Sequence, residues 1–82
     1  MEYNGHKNWN HWNVCLWLYN DETFYRLVQR HCRYSSTLEL AVNNIISELK
    51  EWEIIQTPDG AKFSKSAVRE AIREDYKEYR FS

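Results

Sequence analysis

Apolar side chains recur at three- and four-residue intervals along most of this 82-residue chain, and only two glycines and one proline interrupt them. That rhythm is the signature of α-helices, in which i, i+3, i+4 and i+7 share one stripe. A first helix is expected over 9–19, where Trp9, Trp12, Leu16 and Tyr19 fall at helical spacing and Val14, Cys15 and Leu18 widen the apolar surface. Asn20 and Asp21 break the chain and cap a second helix. There Phe24, Leu27, Val28, His31 and Cys32 form the inner face, and Arg26, Gln29, Arg30 and Arg33 the outer one. "SSTLE" has capping-box form, Ser36 with Glu39, and opens a third helix that turns Leu38, Ala41, Val42, Ile45, Leu49 and Trp52 inward.

After Trp52 the period changes. In "EIIQTPDGAKFS" Pro58 presets a turn and Gly60 can take positive φ, which predicts a short β-hairpin or turn. Ser64 then caps a last helix, with Phe63 and Val68 at the spacing of a hydrophobic staple. Val68, Ile72 and Tyr76 continue its buried line, and Ala67 and Ala71 allow close approach. The expected fold is mainly α: a compact bundle of about four helices in a single domain over 1–82, with a short N-terminal arm, 1–7, and a charged C-terminal tail, 76–82. A chain this short buries only about 60% of its unfolded surface. The 43% hydrophobic and 16% aromatic content is what makes a core attainable.

"MEYNGHKN" lacks the layout of a signal peptide, and the longest apolar run, "VCLWLY", is too short for a bilayer, so a cytoplasmic protein without membrane contact is expected. Cys15 and Cys32 read as reduced thiols rather than a disulfide framework. Eleven basic residues against twelve acidic ones give a net charge of −1, so no global field marks a nucleic-acid binder.

"NWNHWNVCLWLYNDE" carries three of the four tryptophans but no Lys or Arg. A stacking platform for single strands works beside a basic groove, so these rings read mainly as core. Its asparagines have only middling helix propensity. Asn8 is explained as a cap, while Asn10, His11 and Asn13 are left to bond a neighbouring loop or a partner. His11 with Cys15, and His31 with Cys32, lack the tight ligand pairs of a zinc site. No cofactor and no metal is expected. Nor does any His, Cys and acid spacing announce a catalytic set, so the chain does not read as an enzyme. Glu70, Glu74 and Glu78 recur every four residues beside Arg73 and Lys77, as on a solvated, ion-paired face. Lys62 precedes a row of Lys65, Arg69, Arg73 and Lys77 that could follow the phosphates of duplex DNA, with Arg26, Arg30 and Arg33 as further contacts.

The run "YNGHKNWNHWNVCLWLYNDETFYRL" with "TPDGAKFSKSAVREAI" resembles a family of small, uncharacterised proteins of bacteriophages and mobile elements, over residues 3–72. This resemblance implies a phage accessory role in the cytoplasm of an infected bacterium. "LAVNNIISELKEWEIIQTPDGAKFSKSAVREAI" is similar in rhythm to the DNA-binding segment of large serine recombinases, with Thr57, Pro58, Gly60, Phe63, Ser64, Val68 and Arg69 in the corresponding places. Glu70, Glu74 and Asp75 stand where that segment tends to be basic. The expected function is therefore binding to a bacterial host protein, as an anti-CRISPR-like or other anti-defence inhibitor, through Tyr3, Trp52, Tyr76, Tyr79 and Phe81. The alternative is a helix-turn-helix-like DNA regulator, and a homodimer through the aromatic surface is a third arrangement.

Overall fold

The computed structural model describes residues 8–81, with side chains as far as Tyr79. The arm at 1–7, including Tyr3, lies outside the described residues, as does the side chain of Phe81. Four helices follow in order: α1 (Trp9–Asn20), α2 (Glu22–Tyr34), α3 (Leu38–Glu51) and α4 (Lys65–Phe81). α1 packs on α2 and α4, α3 packs on α2 and α4, and α2 meets α4 across the middle. The charged segment at 76–81 lies within α4, and Tyr76 and Tyr79 pack against the core from it.

Each boundary has a local cause. Asn8 accepts from the His11 N–H, Asp21 from Phe24 and Thr37 from Leu40, each a side-chain cap on the first turn of its helix. The third cap falls one residue later than the capping box predicts. With Thr37 in that place, Glu39 points outward and pairs with Arg69 of α4 at 3.0 Å. α3 ends in a Schellman reversal: Ile54 N–H donates to Leu49 C=O at 2.8 Å, Glu53 N–H to Lys50 C=O at 2.9 Å, and Glu53 sits at φ 61°. That reversal throws Trp52 outward, leaving it 43% exposed rather than on the inner face of α3.

The core agrees with the periodicity on α2, α3 and α4. Phe24, Leu27, Val28 and Cys32 meet Ala41, Val42, Ile45 and Leu49, with Ala67, Val68 and Ile72 completing the centre. Phe24 and Phe63 contact edge to face, with centroids 5.7 Å apart. On α1 the expected stripe is displaced. Its buried residues are His11, Asn13, Val14 and Leu18, whereas Trp9 is 40% and Leu16 37% exposed and Trp12 and Tyr19 are half-buried. Large rings at helical spacing define a face, but here polar groups with fixed partners occupy the buried side.

Between α3 and α4 the chain reverses as a three-residue hairpin loop. Gly60 N–H donates to Thr57 C=O at 2.9 Å, Thr57 N–H to Ala61 C=O at 2.8 Å, and Gly60 takes φ 96°. Gln56 and Lys62 form a single antiparallel bridge, and no strand forms among the described residues, so the turn is realised and the hairpin stops at one pair. Ser64 caps α4, its hydroxyl accepting from Ala67 N–H at 3.2 Å.

Candidate functional site

The polar residues of α1 form two groups. Asn10, Asn13 and Trp17 recur at three- and four-residue spacing and meet the reversal at 57–62. The Asn10 amide donates to Lys62 C=O at 3.0 Å and accepts from Lys62 N–H at 2.8 Å, occupying the edge that a further strand would take. Asn13 accepts from the Thr57 hydroxyl at 2.6 Å and donates to Asp59, which also accepts from the Trp17 indole, both at 2.9 Å. These two donors, Asn13 first, hold the Asp59 carboxyl below its ordinary range. The asparagines thus serve the fold, by tying the loop that launches α4.

The second group centres on His11, which is 7% exposed. Its Nδ1 contacts Glu70 of α4, and its Nε2 lies 3.3 Å from the Ser66 hydroxyl, itself 3.5 Å from Ser64 Oγ. Glu70 therefore departs from the solvated row expected of Glu70, Glu74 and Glu78. Sequence spacing held half of this signal, since Ser66 and Glu70 are four apart, but nothing local announces that a histidine 55 residues upstream lies between them. Nearby, Tyr19 donates to Ala71 C=O at 3.0 Å, and burial, then Asp75, push its phenol up. Cys15 and Cys32 are free thiols, and no cluster of three or more His, Cys, Asp or Glu arranged for a metal occurs among the described residues.

The outer face of α2 carries a third feature. Thr23, Arg26, Leu27, Arg30 and Trp52 line a cleft of about 210 Å³, and Gln29, Arg30, Arg33 and Tyr34 line the next, of about 220 Å³. Arg30 is shared between them. Glu48 holds Arg30 and accepts from His31 at 2.7 Å; the bond from His31 leads in keeping its carboxyl below the usual range. Arg26 pairs with Glu22 one turn back, and the Arg33 guanidinium lies 5.5 Å from the Tyr79 ring centroid. Tyr25, Asp75, Glu78 and Tyr79 border a further cleft of about 360 Å³. Among the residues expected to bind a partner, Trp52 is thus exposed beside the arginines, Tyr79 is half-buried under Arg33, and Tyr76 is half-buried against the core.

Lys62, Lys65, Arg69, Arg73 and Lys77 are all exposed. Two of them already face carboxylates, Arg69 with Glu39 and Arg73 with Glu74, the latter at 3.9 Å. No helix among the described residues is long and apolar enough to cross a membrane.

The model of DUF7249, a family of unknown function, matches residues 1–81. The chain belongs to the DUF7249 family. No curated protein and no solved structure matches it. In this DUF7249 member the polar side of α1 is tied to the loop at 57–62, and α2 presents the arginine face.

Proposed function

We propose that this chain is a small phage-type accessory protein that binds a bacterial host protein in the cytoplasm and inhibits a host defence system. The observation that carries this reading is Trp52, exposed beside Arg26 and Arg30 at the start of a cleft line that runs along α2 to Arg33 and Tyr34. Tryptophan, tyrosine and arginine are the usual anchors of protein interfaces. The arginines are interleaved with Glu22 and Glu48, and mixed charge beside exposed rings suits a protein surface better than a phosphate backbone. The resemblance of residues 3–72 to phage and mobile-element proteins supplies the host context. Tyr3, Tyr76, Tyr79 and Phe81 are proposed to extend the contact from the chain ends.

The test is affinity capture from host lysate, followed by titration of the recovered protein with wild type and Trp52→Ala. A buried tryptophan anchor contributes about 2 kcal/mol or more, so the variant is expected to bind about 30-fold more weakly. Failure to recover a stoichiometric partner, or equal affinity for both chains, refutes the reading. Duplex DNA is the alternative, read from the exposed row Lys62, Lys65, Arg69, Arg73 and Lys77. It requires a low-salt gel shift that Arg69→Ala and Arg73→Ala together abolish.

A further inference from the structure

His11, Ser66 and Glu70 meet with the atom pairing of an acyl-transfer triad. The Glu70 carboxylate contacts the Nδ1 side of the His11 ring, and Nε2 lies 3.3 Å from Ser66 Oγ; in the neutral ring the carboxylate selects the Nδ1–H tautomer, whose Nε2 lone pair faces Ser66. A nucleophile, a base within reach of it and a third group orienting that base are the three parts such chemistry needs, and the first contact is commonly loose before substrate arrives. Exposure is graded to match: Ser66 is open to solvent, Glu70 is half-buried and His11 is buried. Only Ser66 has to meet a substrate from outside, while the ring stays clamped between α1 and α4.

The start of α4 supplies the remaining element. In its first turn Ala67 N–H is taken by Ser64 Oγ and Val68 N–H by Ser64 C=O. The N–H groups of Lys65 and Ser66 have no intrahelical acceptor, and they lie at the positive end of a 17-residue helix. The positive end of the helix favours an oxyanion that forms beside Ser66.

We propose that Ser66, His11 and Glu70 form an esterase site for carboxylic esters. Ser66 Oγ bonds to the ester carbonyl carbon as its proton passes to His11 Nε2, and the carbonyl electron pair moves onto oxygen. Collapse breaks the bond to the alcohol oxygen, which takes the proton from His11 and departs, leaving an acyl ester on Ser66. Water then adds to the acyl carbon and gives a proton to His11, and Ser66 Oγ leaves and regains that proton. Ester and water become carboxylic acid and alcohol, with the protein unchanged. Ser66 and His11 are the catalytic residues, and Glu70 is a positioning residue that acts through the ring. The activity is independent of the α2 face and of any host partner.

Two probes test it on the full chain: a fluorophosphonate, from which Ser66 Oγ would displace fluoride, and p-nitrophenyl acetate. The expected result is a phosphonyl adduct mapped by mass spectrometry to Ser66, together with loss of ester turnover. Ser66→Ala, at an exposed position, should keep the wild-type melting temperature and lose both adduct and turnover. Glu70→Gln retains an acceptor for Nδ1–H but not the charge; its kcat should fall about 100-fold with KM unchanged, a split that a purely structural role would not produce. No adduct at Ser66, or a Ser66→Ala chain that hydrolyses the ester at the wild-type rate, overturns the proposal. A Glu70→Gln loss confined to KM or melting temperature overturns the positioning role of Glu70.

Discussion

Asn13→Ala is expected to be among the most damaging polar substitutions in the chain. Asn13 is 1% exposed and Thr57 2%, and the Thr57 hydroxyl donates to Asn13 Oδ1 at 2.6 Å while accepting from Ala61 N–H at 3.0 Å. Alanine leaves that hydroxyl donor buried without an acceptor, which costs about 1–3 kcal/mol. The void left by the lost amide adds about 1 kcal/mol. The sum, about 3 kcal/mol, lowers the melting temperature of a domain this size by roughly 15 °C. Urea unfolding followed by tryptophan fluorescence measures it, and the denaturant slope should be unchanged because the folded state remains equally compact. Thr57→Val removes the hydroxyl that Asn13→Ala would strand, so the double variant should be less destabilised than the sum of the two by about 1 kcal/mol or more. A loss below about 1 kcal/mol for Asn13→Ala, or strict additivity in the cycle, refutes the claim that this pair locks the loop.

Three further outcomes follow from single observations. Glu53 occupies the left-handed C′ position of the α3 reversal at φ 61°, where glycine is unstrained, so Glu53→Gly should raise stability by about 0.5–1 kcal/mol in the same urea assay. Asp59 and Glu48 have folded pKa values below their ordinary 3.8 and 4.5, so their contribution is present above those values and is lost as pH falls through the lower folded ones. Acid titration of stability should therefore show a decline starting near pH 4.5, and Trp17→Phe, which removes one donor to Asp59, should make it shallower. Burial pushes the Cys32 thiol up to about 12, with Asp75 adding to it, so an aromatic disulfide reagent at about pH 8 should leave Cys32 unmodified in the folded chain and modify it in urea.

Three helices were legible because each follows one rule along its whole length. On α2, Phe24, Leu27, Val28 and Cys32 are apolar, three or four apart and buried, so pattern and burial coincide. α1 broke the rule because its buried side is selected by partners that are distant in sequence. Asn13 is buried because Thr57 and Asp59 meet it, and His11 because Glu70 does. Nothing within 9–20 encodes those encounters, whereas the tryptophans, by size and spacing, imitate a core stripe. The turn was legible from Pro58 and Gly60, which act locally, but its arrest at one bridge was not, since the edge of Lys62 is taken by a side chain from α1. The candidate site divides the same way. Exposure of the α4 cations follows from helical phase, while the grouping of Trp52 with Arg26 and Arg30 depends on where α3 reverses.

The same logic makes Asn10 a test of how the loop is held, separate from how much the holding stabilises. Both of its bonds go to the Lys62 main chain at exposed positions, so water can replace them and Asn10→Ala should cost only about 0.5–1.5 kcal/mol. The local effect should be larger than the global one. Lys62 N–H has the Asn10 carbonyl as acceptor, whereas the adjacent Ala61 N–H is bound by the buried Thr57 hydroxyl. In Asn10→Ala, amide exchange at Lys62 should approach that of an open loop while Ala61 stays protected, a contrast that residue-resolved exchange by NMR reads directly. If Ala61 opens together with Lys62, the Asn13–Thr57 contact depends on Asn10 and the seam is one cooperative unit. If Lys62 keeps its protection, the Asn10 side chain is not what closes that edge, and the hairpin must stop at one pair for another physical reason.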